Sequence, residues 1–558
     1  MTFPTSDPTP DLAELFAGAG VPEPYLAPAA ARLGPDAARL LRADPWRLLL
    51  VPGVGPEQAD HFARGLLGPA AEPADPRRGR ALAVHLLVRA ARHGHTALPV
   101  PELAAALAPL KVTEPLAAIR AALDEGEAMH FLEEVDFDAL PDDIDEAPDP
   151  VELVGLARYA LAEEAVAEGV MRLSMTAEPL PDGPTGRLAE ALAHGVSVLH
   201  GSPGAVEAAL PELVEAARAA GARVAVATAT GRAAAGAGPA AVALHRLLEA
   251  TGTGDGLVCA RDEQRPVEAD VVVALDAGWL DVETAAALVE ACADGTRLML
   301  CGDPAGLPPA GPGRVLADLA ESGTVPVTDL GDGPGRSPLD ALVAGVRRGD
   351  LPRVEAPDRE VVVVPAADDA EAAHRAVQLV ADSIPRALGV PADEVQVLGT
   401  GTAGPAGTVA LNAALKERLN PGPGAHGGFD VGDRVLVAVA LPEVPTGETG
   451  PVTGADEDGL TIEFPGGPVR VPTALLGRLR HGRAMTVGQA HGTRWPAVVA
   501  VVSGEAAGRL SGPLAVTAFT RGRRHLSIVH AAGPALARAV RESAVPARRT
   551  RLVGLLRG

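Results

Sequence analysis

The chain is short of lysine, cysteine and aromatic rings, and each shortage closes off a class of function. Lys111 and Lys416 are the only lysines, so arginine carries almost all the positive charge. Lys and Arg together number 48 against 72 Asp and Glu, a formal charge of -24 at pH 7. A protein that coats nucleic acid indiscriminately needs clustered cations, so any DNA contact here must be local. The three cysteines, Cys259, Cys292 and Cys301, are odd in number and lack CxxC spacing. That argues against a disulfide framework or a zinc site, and they read as small core residues. Aromatic residues make up 2% of the chain, which leaves aliphatic cores built from Ala, Val and Leu. No stretch approaches the roughly 18 uninterrupted apolar residues of a membrane span. Met1 to Asp11 has neither the basic start nor the apolar run of a secretory signal. The expectation is a cytoplasmic protein with no membrane partner.

What is present is length and alternation. At 558 residues the chain exceeds the roughly 250 to 300 residues at which single cores stop growing, so several domains are expected. Residues 1–70 read as short helices ending in LLLVPGVGPEQADHF, where Gly53-Val54-Gly55 forms a tight turn and Pro56 starts the next helix. That is the pattern of a helix-hairpin-helix, whose turn and helix start offer backbone N–H groups to a phosphate. The same turn also suits a plain helix-turn-helix packing element. Residues 71–132 carry helical periodicity (Leu82, Leu86, Val88, then Leu103, Leu107, Leu110) and suggest a small helical or winged-helix-like unit. The acidic run through PDDIDEAPDPVE makes 133–152 a solvated linker.

From Arg187 onward, β-branched runs alternate with Ala-rich helical stretches. Val196 to Leu199, Arg223 to Thr228, Asp270 to Leu275 and Arg297 to Cys301 are buried-strand candidates. A second series comprises Val361 to Val364, Val395 to Leu398, Ala497 to Val502 and Leu526 to Val529. Such alternation implies α/β architecture, two parallel-sheet domains in tandem over 153–350 and 351–558. Within the second, about 429–479 shows short alternating strands joined by glycine turns, the signature of a small antiparallel β-barrel insert.

Several stretches, in order, resemble the RecD-like superfamily 1 DNA helicases of the helix-hairpin-helix-containing type. HGVSVLHGSPG (His194 to Gly204) lies where that family has its phosphate loop, and TATGRAA (Thr228 to Ala234) where it has a DNA-contacting motif. GDPAGLPPAGPG (Gly302 to Gly313) resembles the coupling motif GDPxQLPxVGPG. GPAGTVALNAALKERLNP (Gly404 to Pro421), GDRV (Gly432 to Val435) and TAFTRGR (Thr517 to Arg523) match later segments. The resemblance covers nearly the whole chain and implies two RecA-like domains behind an N-terminal helix-hairpin-helix region.

The departures from the family bear on chemistry. A working phosphate loop needs G-x-x-x-x-G-K-[ST], glycines to wrap the phosphates, a lysine for their charge and a hydroxyl for magnesium. From Gly201 this chain has Ser202, Pro203, Gly204, then Val206, Glu207 and Ala208 at the glycine, lysine and hydroxyl positions. A charge pair about 4 Å apart is worth on the order of 4 kcal/mol at an effective dielectric of 20, and here attraction becomes repulsion. The family's Asp-Glu pair, which handles magnesium and the attacking water, is Leu275 and Asp276; an apolar side chain cannot coordinate a hard cation. Asp276 could orient water, or could be a strand-end aspartate facing solvent or a helix start. Arg521 stands at the arginine-finger position and suits a structural ion pair equally well. No metal site is expected, and ATP and Mg2+ enter only if the chain is an active helicase with noncanonical motifs.

For DNA, Thr230, Gly231 and Arg232 could hold a phosphate by hydroxyl, backbone and guanidinium. The later motif, roughly TVHKSQGSEF in the family, is TVGQAHGTRW here, where Arg494 could offer a cation and Trp495 either a stacking face or core packing. The basic tail (Arg548, Arg549, Arg551, Arg557) could touch DNA, an acidic surface or nothing. The expected function is a DNA-binding pseudo-helicase without efficient ATP hydrolysis, implied by resemblance to serve DNA repair or recombination. The alternatives are an active ATP-dependent helicase and a protein-interaction scaffold that ignores DNA.

Overall fold

The computed structural model describes residues 10–133, 150–178, 180, 188–252, 257–333, 335, 337–542, 545 and 547–558. Two parallel sheets dominate it. The first, the centre of lobe 1, has strand order Val327–Asp329, Val196–His200, Arg297–Gly302, Val271–Ala274, Val224–Thr228, Ala241–Ala243, every neighbouring pair parallel. The second, the centre of lobe 2, has order Val361–Pro365, Gly522–His530, Trp495–Val502, Val395–Gly399, Ala484–Thr486, again parallel throughout. The central strands are buried on both faces, which is why they read as continuous Val-rich runs rather than alternating ones. Separate apolar clusters fill the two faces of each sheet. The α/β class and tandem parallel sheets expected from sequence are therefore present.

The segment expected to form a barrel is a five-stranded antiparallel sheet of order Gly467–Pro472, Gly459–Phe464, Thr449–Asp456, Arg434–Val437, Leu479–His481. It encloses its own core of Val435, Val437, Leu460 and Ile462. Among the described residues its first and last strands are not paired with each other, so the ring expected of a barrel is not closed by hydrogen bonds.

Three assignments of sequence to units differ in the structure. Strand Val151–Leu156 pairs antiparallel with Ala128–Glu133 and with Ala97–Pro99, so it belongs with the helices Pro76–Arg92, Val100–Leu107 and Pro115–Asp124 before the acidic stretch. The acidic run itself, residues 134–149, lies outside the described residues. Helix Pro338–Arg347, allotted to the first α/β unit, packs Leu339, Leu342 and Val346 into the lobe 2 core. The C-terminal tail is no solvated charge run. Arg548 donates to the carbonyls of Pro309, Gly311 and Gly313 at 2.7, 2.9 and 2.8 Å. Arg551 lies over the Phe131 ring and reaches Glu164 at 3.1 Å, while Leu552 and Leu556 enter the lobe 1 core. Of the outcomes open for the tail, the structure shows contact with protein: Arg549 and Arg551 meet the acidic side chains of Glu133 and Glu164, whereas Arg548 and Arg557 are held by backbone carbonyls.

Candidate functional site

Strand Val196–His200 runs directly into helix Pro203–Ala219, with Ser202 as its N-cap. Proline at the helix start sacrifices no needed donor, but it also removes an N–H that a phosphate could use. Of the other N–H groups of the turn, that of Gly204 is free among the described residues and three are turned into the protein. Gly201 donates to the Gly302 carbonyl and Ser202 to the Gly331 carbonyl, both at 3.0 Å, and Ala205 to Ser202 Oγ at 3.2 Å. Segment 330–333 lies over the turn: a Cβ on Gly201 would sit 2.9 Å from Leu330 Cβ, and Ser202 Oγ donates to the Asp332 carbonyl at 3.0 Å. One free donor is left, which falls short of the cradle of several that a phosphate loop requires.

Glu207 follows in the second turn of the helix and points across the cleft into lobe 2. Arg494 Nη1 and Arg523 Nη2 reach its two oxygens at 2.7 and 3.0 Å. Arg494 is further held by the carbonyls of Thr520 and Gly522 at 2.9 and 3.1 Å. Its guanidinium is thus spent inside the cleft, which corrects its expected place on a DNA surface. Trp495 beside it is buried in the lobe 2 core, the packing alternative of the two considered.

Asp276 ends strand Val271–Ala274 in the left-handed region, φ 51°, which aspartate tolerates better than most side chains. It is not a solvent-facing strand end but the residue that starts the 3-10 helix Ala277–Trp279. Its carboxylate forms an ion pair with Arg521 and accepts the Gly492 N–H at 3.1 Å. Burial pushes its pKa up, but Arg521, His491 and the Gly492 N–H together hold it below the ordinary carboxylate value. Arg521, 2% exposed at its side chain, also donates to the Thr517 carbonyl at 3.1 Å. Of the two roles open for Arg521, the structure shows the ion pair. His491, next to this pair, is pushed down to about 4, chiefly by burial.

A third carboxylate, Asp303 of lobe 1, faces Arg347 of helix Pro338–Arg347 at 3.2 Å. Burial raises its pKa against the pull of Arg347, and its Oδ2 makes no hydrogen bond. Glu207, Asp276 and Asp303 line one cavity together with Gly201, Val206 and Leu275, of about 50 Å3. That is room for water, against the roughly 300 Å3 at which small-molecule pockets begin. Leu275 occupies its wall where the family would place a magnesium ligand. Among the described residues no cluster of His, Cys, Asp or Glu could hold a metal ion. The donor set does not fit Mg-ATP.

The DNA-motif residues are also engaged. Thr230 caps helix Gly231–Ala237 and its hydroxyl meets that of Thr493 at 2.8 Å. Glu448, from the antiparallel insert and only 3% exposed, accepts the N–H groups of Gly231 and Arg232. Burial is the main cause of its raised pKa. Arg232 is half-buried, and its Nε makes no hydrogen bond.

The hairpin forms as expected: a 3-10 helix Pro45–Leu50, the turn through Gly53 (φ 89°), and helix Pro56–Leu67. Val54 is buried and donates to the Val51 carbonyl at 3.2 Å, while Gly55 donates to Gln58 Oε1 at 2.8 Å.

Sequence reasoning found Glu207, Asp276 and Arg521 but missed Arg523, Arg347, Asp303, Thr493 and Glu448. TAFTRGR contained Arg523 and GDPAGLPP contained Asp303, so both were within motifs already singled out. Nothing local marked Glu448.

Comparison with known proteins agrees with the fold. Residues 7–97 match the helix-hairpin-helix domain of ATP-dependent RecD2 DNA helicases, and 187–334 match an AAA domain. The ATP-dependent RecD2 DNA helicase of Deinococcus radiodurans is 29% identical over 290 residues, 51% of this chain but 39% of that protein. The RecBCD enzyme subunit RecD of Mycobacterium tuberculosis is 29% identical over 527 residues, 81% of this chain and 85% of the subunit. RecD-like superfamily 1 DNA helicases with an N-terminal helix-hairpin-helix region are thus the proteins that this chain resembles. A solved Pif1 helicase from Candida albicans is matched at TM-score 0.35 and 15% identity, over 66% of this RecD-like chain and 93% of that one. Among the described residues, no helix is long and apolar enough to cross a membrane.

Proposed function

We propose that this RecD homologue is a DNA-binding pseudo-helicase that does not hydrolyse ATP efficiently and serves DNA repair or recombination. The observation that carries it is Glu207: a carboxylate at the lysine position, already paired with Arg494 and Arg523. A triphosphate entering there would meet negative charge, a turn with most of its donors committed, and about 50 Å3 of space. Phosphoryl transfer is catalysed almost entirely by positioning and charge stabilisation, and neither survives. DNA binding is supported by the matched helix-hairpin-helix region and its intact turn. Engagement of Gly231 by Glu448 and of Arg494 by Glu207 favours the second reading, a protein-interaction scaffold without DNA.

Steady-state ATPase with single-stranded DNA tests the first claim, with Glu207→Ala as the control. Enzymes typically turn over at about 1 to 1,000 per second; the expected rate here is background for both proteins. DNA-stimulated turnover above background would sink the proposal. DNA binding measured across a salt series separates the pseudo-helicase from the scaffold, since only the scaffold shows no affinity at low salt.

A further inference from the structure

Lobe 1 presents three carboxylates to the cleft, Glu207, Asp276 and Asp303, and lobe 2 answers with Arg494, Arg523, Arg521 and Arg347. Every one of these ion pairs crosses between lobes. We infer that the seam is a built-in latch, in which the Glu207 carboxylate takes the place of a nucleotide's terminal phosphate and holds the lobes closed without a ligand. The inference rests on the reading that the site takes no ATP, and goes beyond it by assigning a conformational role to the residues that replaced the phosphate loop.

The chemistry of the exchange is simple. Arginine forks bind carboxylate and phosphate by the same charge-assisted geometry. In a nucleotide-driven motor the anion that joins two lobes arrives and leaves, so the lobes open and close. An anion covalently fixed to helix Pro203–Ala219 cannot leave. The rest of the seam is built for permanent contact. Thr230 and Thr493 share a hydrogen bond at 2.8 Å, and Leu307 donates to Thr517 Oγ1 at 2.8 Å. A Cβ on Gly492 would lie 2.4 Å from Ala229 Cβ, and one on Gly236 would lie 2.5 Å from Arg523 Nη2. Backbone of one lobe therefore touches side chains of the other at the places where glycine allows it. The Arg521 pair is buried at 2% and 16% exposure, whereas the partners of Glu207, Arg494 and Arg523, are 15% and 36% exposed at their side chains, so altering Glu207 leaves no charge as deeply buried as Arg521 unpaired.

Small-angle scattering of the full chain tests this, with thermal melting as the check on folding. The wild type is expected to keep one radius of gyration with or without Mg-ATP or pyrophosphate. Glu207→Lys sets a third cation against Arg494 and Arg523; it is expected to raise the open population about tenfold or more at low salt. Added pyrophosphate, the probe anion, should reclose it. Glu207→Gln and Arg523→Ala, milder changes, should open the protein partially and make its dimensions salt-dependent, and they decide the matter if the lysine variant fails to fold. Folded variants with wild-type dimensions at every salt concentration would overturn the latch. So would a wild type whose dimensions change with Mg-ATP. Neither result is ATP turnover, so failure of the latch and failure of the pseudo-helicase proposal are told apart.

Discussion

The cleft and the N-terminal hairpin start from the same local design, a glycine turn leading into a helix that begins with proline, Pro203 in one and Pro56 in the other. Both could present N–H groups and a positive helix end to a phosphate. At the cleft, the turn donors are bonded to the carbonyls of Gly302 and Gly331, and a carboxylate stands in the next turn between two arginines. At the hairpin, Gly55 is bonded to Gln58, an exposed side chain on the same helix, and Glu57 lies outward. The first arrangement is fixed by backbone and by ion pairs between lobes. The second needs only a side-chain rotation to release its donor. An anion site is thus defined less by its turn than by whether its donors are already committed.

The sharpest way to break the comparison is to unpair the cleft. Arg521→Ala leaves Asp276 without its cation in a site where Arg521 is 2% exposed. Removing one partner of a buried pair typically costs about 3 to 5 kcal/mol, and denaturant unfolding should show a loss of that order. Adding Asp276→Asn should recover much of it. A loss below about 1 kcal/mol would mean that the pair behaves like a surface ion pair and that the cleft is not sealed.

These pairings also mark where sequence legibility ended. Glu207 was visible because one residue replaced another in a motif. Its pairing was not, even though Arg494 was itself singled out, because the partners lie 287 and 316 residues away and meet it only when the lobes dock. The buried central strands were legible as runs of Val and Ala. The edge strands Val327–Asp329, Ala241–Ala243 and Ala484–Thr486 were not, since three residues make no run. The arginine-rich tail showed its charge but not its destination: its docking depends on Gly94, where a Cβ would come 2.2 Å from Arg548 Nε, and on the carbonyls of residues 309–313.

Acid should act on the cleft before the hairpin. His491, beside Asp276 and Arg521, is lowered from 6.5 to about 4, mainly by burial. A depressed histidine is neutral in the folded protein, and the unfolded chain binds the proton first. Stability from keeping it neutral is therefore complete above pH 6.5 and is lost as pH falls toward 4, by no more than about 3 kcal/mol. Hydrogen exchange at strand Val271–Ala274 should rise across that window, and His491→Gln should flatten the rise. An equal rise in helix Pro56–Leu67, unaffected by the substitution, would place the acid response elsewhere.

The smallest effect belongs to the hairpin, and it decides whether that half of the comparison concerns DNA at all. Gly53 holds φ 89°, a conformation that side-chain-bearing residues rarely adopt, and a Cβ there would lie 3.5 Å from the Tyr25 ring. Space is therefore adequate and backbone strain is the main penalty, so Gly53→Val should destabilise the chain by about 1 to 2 kcal/mol. If the turn offers N–H groups to phosphate, the same change should weaken binding to tailed DNA by about tenfold at low salt, because the donors are re-aimed. Gln58→Ala supplies the opposite arm. It removes the side chain that occupies the Gly55 N–H and should leave affinity equal or slightly higher despite a small loss of helix stability. Unchanged affinity in Gly53→Val would take the hairpin out of DNA recognition and leave it, like the cleft, as structure inherited from an anion site.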